Sequence, residues 1–137
     1  MPRDDAARLG DIIEACDRIT NRVAGLDHAS FAANDLVIRA VLYDFAVIGE
    51  AAKGVSPQLR LAHPDVPWSD MAGMRDIVIH QYFGVDAKLV WRAASVSVPR
   101  VVGQLRGLPP NAHTPPGAGA LGGVECGRRP RPAWSAA

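Results

Sequence analysis

The sequence predicts an all-α fold, an antiparallel four-helix up-and-down bundle over residues 1–106 with a disordered Pro/Gly-rich tail over 107–137. Three observations predict it. Apolar residues recur at spacings of three and four in successive stretches, the signature of amphipathic helices. The links between those stretches are short and carry helix-stopping residues, which favours antiparallel neighbours. At Gly107 the character changes: of the last 31 residues 12 are Pro or Gly, without periodicity, too little apolar surface to offset the entropy of ordering.

The first helix is expected from about Asp4 to Leu26, with acidic residues in its first turn where the helix dipole favours them. Leu9, Ile12, Ile13, Cys16, Ile19, Val23 and Leu26 define one buried stripe, and Glu14 and Arg18 form a solvated i,i+4 pair. After a loop through Asp27–Ser30, a second helix runs from an Asn34 N-cap to about Val55. Its two adjacent apolar stripes, Val37, Val41, Ile48, Ala51, Val55 and Ile38, Leu42, Phe45, Ala52, predict a helix covered from several sides: central in the bundle, or shared with a second subunit. Asp44 and Glu50 fall on or beside these stripes. A buried carboxylate needs a partner, so each is an edge residue, part of a structural ion pair, or an orienting group for a functional side chain.

Ser56-Pro57 has the form of an N-cap with proline at the first helical position, which gives a short helical turn from Gln58 to Ala62. Pro64 and Pro67 break the chain, leaving His63 in a loop, and Trp68 restarts it as a core anchor. A third long helix is expected from Pro67 or Trp68 to about Tyr82, with Gly73 inside it marking a close approach of a neighbour. Gly84 with Asp86 reads as a stop followed by an N-cap. A fourth helix runs from Asp86 to Leu105, its inward side formed by Leu89, Ala93, Val96 and Arg100 alternating with Val90, Ala94, Val101 and Leu105, and Pro99 predicts a kink or an early end.

Composition excludes some functions. Residues 1–106 carry 12 Lys and Arg against 13 Asp and Glu, a formal net of −1, so the domain is not a strongly basic nucleic-acid binder and any RNA contact must be a local patch. Cys16 and Cys126 stand far apart with no metal spacing, as expected for thiols in a reducing cytoplasm. No signal peptide and no run approaching a membrane span is expected, so the sequence predicts a soluble cytoplasmic protein.

The stretch that breaks the pattern is Met74–Tyr82. Arg75, His80 and Tyr82 sit in an apolar helical run where a core would prefer Leu or Ala, and such conflicts mark functional sites. The spacing Arg75-x4-His80-x-Tyr82, with Ile48-Gly49-Glu50-Ala51, Val66-Pro67-Trp68, Gly73-Met74, Phe83-Gly84-Val85-Asp86 and Val90-Trp91 around it, resembles the HepT-like toxins of the HEPN superfamily over residues 4–106. The tail lies outside the resemblance.

Cleaving RNA without a metal requires taking a proton from the ribose 2′-OH, giving one to the leaving 5′-oxygen and stabilising charge at phosphorus. Histidine does the proton work near neutral pH, and arginine offers a planar fork to phosphate oxygens. No Asp, Glu, Cys or His cluster has metal-ligand spacing, and no cofactor is expected. On an ideal helix Arg75 and His80 are about 140° apart, so they do not aim at one point. Either the helix end loosens near His80, or the arginine reaches around, or a second subunit completes the site. The resemblance implies the last, a homodimer with a composite cleft. It also implies that Arg75 stabilises the scissile phosphate, that His80 is general acid or base, and that a cognate minimal nucleotidyltransferase antitoxin adenylylates Tyr82. Asp76, one turn before His80, either holds its imidazole or forms a surface pair; Glu50 or Asp44 either orients Arg75 or His80 or is structural. A reading of another class is a non-catalytic helical module that binds nucleotide or substrate for a nucleotidyltransferase.

Overall fold

The computed structural model describes residues 4–84 and 86–108, and of Gln81, Tyr82 and Phe83 the backbone alone. The described residues are mostly helical, with no strand among them. The tail predicted from Gly107 lies outside the described residues from position 109 onward, as does Cys126.

Helix α1 (Asp5–Val23) starts at an Asp4 cap whose carboxylate accepts from the Ala7 amide at 2.7 Å. It ends three residues before the expected Leu26 because Gly25 turns the chain at φ 78°, where a side chain would be strained. Ile12, Ala15, Cys16 and Ile19 are buried, with Leu9, Ile13 and Val23 packed beside them. The segment expected as a loop contains a short helix, α2 (His28–Ala32). Asp27 and Ser30 cap it reciprocally: the Asp27 carboxylate accepts from the Ser30 amide at 2.8 Å, and the Ser30 hydroxyl accepts from the Asp27 amide at 3.0 Å. That Asp-x-x-Ser spacing was the available signal.

Helix α3 (Asp35–Gly54) begins at Asn34 as expected and is the central element, packing against α1 and four further helices. Helix α4 (Pro57–Ala62) follows the predicted Ser56 cap, whose hydroxyl accepts from the Leu59 amide while both its own donors meet the Asp5 carboxylate at the start of α1. Arg60 donates to the carbonyls of Ala52 and Lys53, closing the C-terminus of α3. Trp68 is 2% exposed and its indole donates to the His63 carbonyl at 2.9 Å, so it is a core anchor.

Two expectations about the later helices are corrected. The third long helix is divided at Gly73 into α5 (Trp68–Ala72) and α6 (Met74–Phe83). The fourth is α7 (Ala87–Arg92), a π-helical turn (Ala93–Ser97) and α8 (Val98–Arg106), so Pro99 neither ends it nor stands alone as a kink. Proline lacks the amide an α-helix needs there and crowds the preceding turn; the wide turn just before it absorbs both defects. The extra residue also resets the register. Val96 and Arg100, expected inward, are exposed, while Val98, Val101, Val102 and Leu105 face the core.

Asp44 is fully buried and faces α1. Its carboxylate accepts from Arg18 Nε at 2.9 Å and from an Arg22 guanidinium nitrogen. Arg18 therefore does not pair with Glu14 as expected; the hydrogen bond to Asp44 raises its already high pKa further. Among the described residues no helix is long and apolar enough to cross a membrane.

Candidate functional site

The candidate site forms where the last third of α3 meets the junction of α5 and α6. Gly49 makes this approach possible. A Cβ there would stand 2.9 Å from both the amide nitrogen and the Cβ of Arg75 and 3.2 Å from the Ala72 carbonyl. The close approach expected at Gly73 is at Gly49 instead, since a Cβ on Gly73 would meet only carbonyls of its own preceding turn, at 3.3 and 3.5 Å. Gly73 serves the site differently, ending α5 and starting α6 in the same tight turn: its amide donates to Ser69 and its carbonyl accepts from Asp76 at 2.9 Å. Applying to Gly49 the cost of a mid-helix glycine would have exposed its role from sequence.

Glu50 follows Gly49 and Arg75 lies across from it. One guanidinium nitrogen of Arg75 donates to both oxygens of Glu50, at 3.2 and 3.1 Å. The pair is open to solvent, with 47% of Arg75 and 63% of Glu50 exposed. The other nitrogens of the fork remain available to an anion approaching from outside. Of the two carboxylates considered as supports for Arg75, the structure thus brings Glu50 to it and commits Asp44 to α1.

His80 and Asp76 are both exposed on α6. Among the described residues no hydrogen bond or ion pair joins them. Helix α6 passes His80 without interruption and ends at Phe83, so loosening at His80 is not how the two candidate residues converge. Nor does Arg75 reach around the helix, because its guanidinium turns to α3. Tyr82 belongs to the last turn of α6, with its side chain outside the described residues. Among the described residues no three His, Cys, Asp or Glu come together to hold a metal ion.

A family model described as ribonuclease HepT-like matches residues 12–106, which includes all of these elements. The chain belongs to the HepT-like ribonuclease family. Among its relatives is a protein of Methanocaldococcus jannaschii provisionally named as an RNase, MJ1216, 41% identical over 102 residues that make up 74% of this chain and 84% of that one. A second protein of the same organism, MJ0125, provisionally named in the same way, is also 41% identical over 102 residues, covering 88% of its own length. The probable ribonuclease HepT of Thermococcus cleftensis is 33% identical over 108 residues, 79% of this chain and 98% of that relative. No solved structure matches the chain. Within this HepT-like chain, Gly49, Glu50, Arg75, Asp76 and His80 all fall inside the matched span.

Proposed function

We propose that this HepT-like protein is a metal-independent endoribonuclease, the toxin of a toxin-antitoxin pair, acting in the cytoplasm on an antiparallel four-helix scaffold. The observation that carries the reading is the Arg75 guanidinium, held at the surface by Glu50 with donors to spare, on the same helix as exposed His80. In the reaction a base takes the proton of a ribose 2′-OH, and the resulting oxygen attacks the adjacent phosphorus. The bond to the 5′-oxygen breaks, and that oxygen takes a proton as it leaves. The products are a 2′,3′-cyclic phosphate and a 5′-hydroxyl. His80 serves one of the proton transfers and Arg75 stabilises the charge at phosphorus.

Because α6 is regular, His80 and Arg75 of one chain point in different directions, and a homodimer supplies the pairing across two copies. Exposed apolar side chains support this: Tyr43 and Leu36 on α3, 69% and 80% exposed, stand about two and four turns before Glu50 on the same side of that helix, and exposed Ile79 lies one turn beyond Arg75 on α6. A minimal nucleotidyltransferase antitoxin neutralises the toxin by adding AMP to Tyr82, two residues from His80, which places phosphate charge and bulk where RNA must enter.

The deciding experiment incubates EDTA-treated protein with mixed cellular RNA beside His80→Ala and maps the fragment ends. Cleavage leaving 2′,3′-cyclic phosphates, absent in the variant, is the expected result. An unmodified protein that cleaves nothing would replace this reading with that of a non-catalytic nucleotide- or substrate-binding partner of the nucleotidyltransferase.

A further inference from the structure

The domain carries a net charge of −1, yet its charges are unevenly placed. Residues 87–108 contain four cations, Lys88, Arg92, Arg100 and Arg106, and no acid. Among the described residues, five arginines elsewhere are engaged: Arg18 and Arg22 with Asp44, Arg39 with Asp35, Arg75 with Glu50, and Arg60 with the end of α3. Arg106 pairs with Asp17. Lys88, Arg92 and Arg100 are exposed, and among the described residues no hydrogen bond or ion pair engages the side chain of any of the three; the Lys88 backbone amide donates to the Asp86 cap.

The π-helical turn puts these three on one face. Lys88 and Arg92 are four apart on α7, about 40° from each other. In an uninterrupted α-helix Arg100 would lie about 80° beyond Arg92, toward the flank that packs inward. The turn Ala93–Ser97 inserts the equivalent of one residue, a lag of roughly 100°, which returns Arg100 to within about 20° of Arg92. The stripe is about 18 Å long by helical rise. Along the chain it begins soon after the site, since only Gly84, Val85 and Asp86 separate the end of α6, which carries His80, from the start of α7.

We propose that Lys88, Arg92 and Arg100 form a track for the phosphates of a single-stranded RNA leading away from the Arg75–His80 site. The track supplies the local positive patch that a near-neutral domain needs to hold a polyanion, and unpaired exposed cations on one face are the form such a patch takes. It rests on the ribonuclease reading for the identity of its ligand, though binding can be measured apart from cleavage.

The test uses the full chain, a variant with Lys88→Gln, Arg92→Gln and Arg100→Gln together, and a fluorescent single-stranded 2′-O-methyl RNA that cannot undergo 2′-OH attack. Anisotropy over a salt series gives affinity and its salt dependence, circular dichroism checks that the variant is folded, and an all-ribose RNA of the same sequence reports cleavage. Loss of three phosphate contacts reduces the slope of log K against log salt by about 2. The expected result is that smaller slope, affinity weakened at least tenfold at low salt, and cleavage lowered in kcat/KM more than in kcat. Unchanged RNA affinity and slope in a folded variant overturn the track, and if the parent cleaves, the ribonuclease reading survives. Unchanged RNA affinity with lost capture of a protein partner overturns it as well. If the parent cleaves nothing but its RNA binding depends on the three cations, the track stands and the ribonuclease reading falls.

Discussion

Gly49 and Arg75 are in backbone contact: the α-carbon of one faces the amide and Cβ of the other so closely that a methyl group between them would lie 2.9 Å from both atoms. Helix α3 therefore fixes the height and rotation of α6 at the residue expected to meet phosphate, and Glu50, one position further on, fixes the arginine's head group.

Gly49→Ala should therefore damage fold and site together. The clash is with backbone and a Cβ, which cannot swing aside, so α6 must shift, at a cost of about 1–3 kcal/mol. Gly10→Ala is the control: Gly10 lies within α1 with nothing within 4 Å of its missing Cβ, and the change should stabilise by up to about 1 kcal/mol. Urea denaturation of both variants beside RNA cleavage checks the contrast, and equal stability for the two would contradict the packing argument.

Glu50→Ala should separate stability from activity. The pair is about half exposed, so it contributes less than about 1 kcal/mol to folding. Without it the arginine loses its anchor, and cleavage should fall at least tenfold in kcat with a nearly unchanged melting temperature. Glu50→Gln, which retains one acceptor oxygen, should recover part of the rate. Full activity in Glu50→Ala would remove Glu50 as a positioning residue.

Asp44→Ala should show the reverse. It takes a fully buried carboxylate from two arginines, and breaking a buried ion pair costs on the order of 3 kcal/mol. Arg18→Ala alone should cost less, because Arg22 still pairs with the Asp44 carboxylate. A double-mutant cycle between Asp44 and Arg18, read by urea denaturation, should give a coupling above about 1 kcal/mol. The catalytic constants of the folded fraction should stay near those of the parent.

Burial, with Asp17 nearby adding to it, pushes the Cys16 thiol up from 9.0 to about 12. The unfolded chain deprotonates first, so the thiol's contribution to stability is fully present below about pH 9 and is lost as pH rises toward 12. Between pH 7 and 10.5 the urea midpoint of the parent should fall more steeply than that of Cys16→Ala. Iodoacetamide at pH 7.5 should leave folded protein unmodified at Cys16 and label it after unfolding.

Helix periodicity and capping chemistry are local, so the sequence by itself determined that the chain is helical, that α3 starts at Asn34 and α4 at Ser56, that Trp68 is an anchor, and which family the stretch around Arg75 and His80 resembles. What only the tertiary structure decided depends on which surfaces meet. The choice of Glu50 over Asp44 as partner of Arg75 follows from the direction each carboxylate faces, outward beside α6 or inward toward α1. The close approach falls at Gly49 because two helices cross there, which spacing along a single helix cannot reveal. The exposure of Arg100 depends on the five-residue π-helical turn from Ala93 to Ser97, and a shift of one residue in register moves a side chain about 100° around its helix.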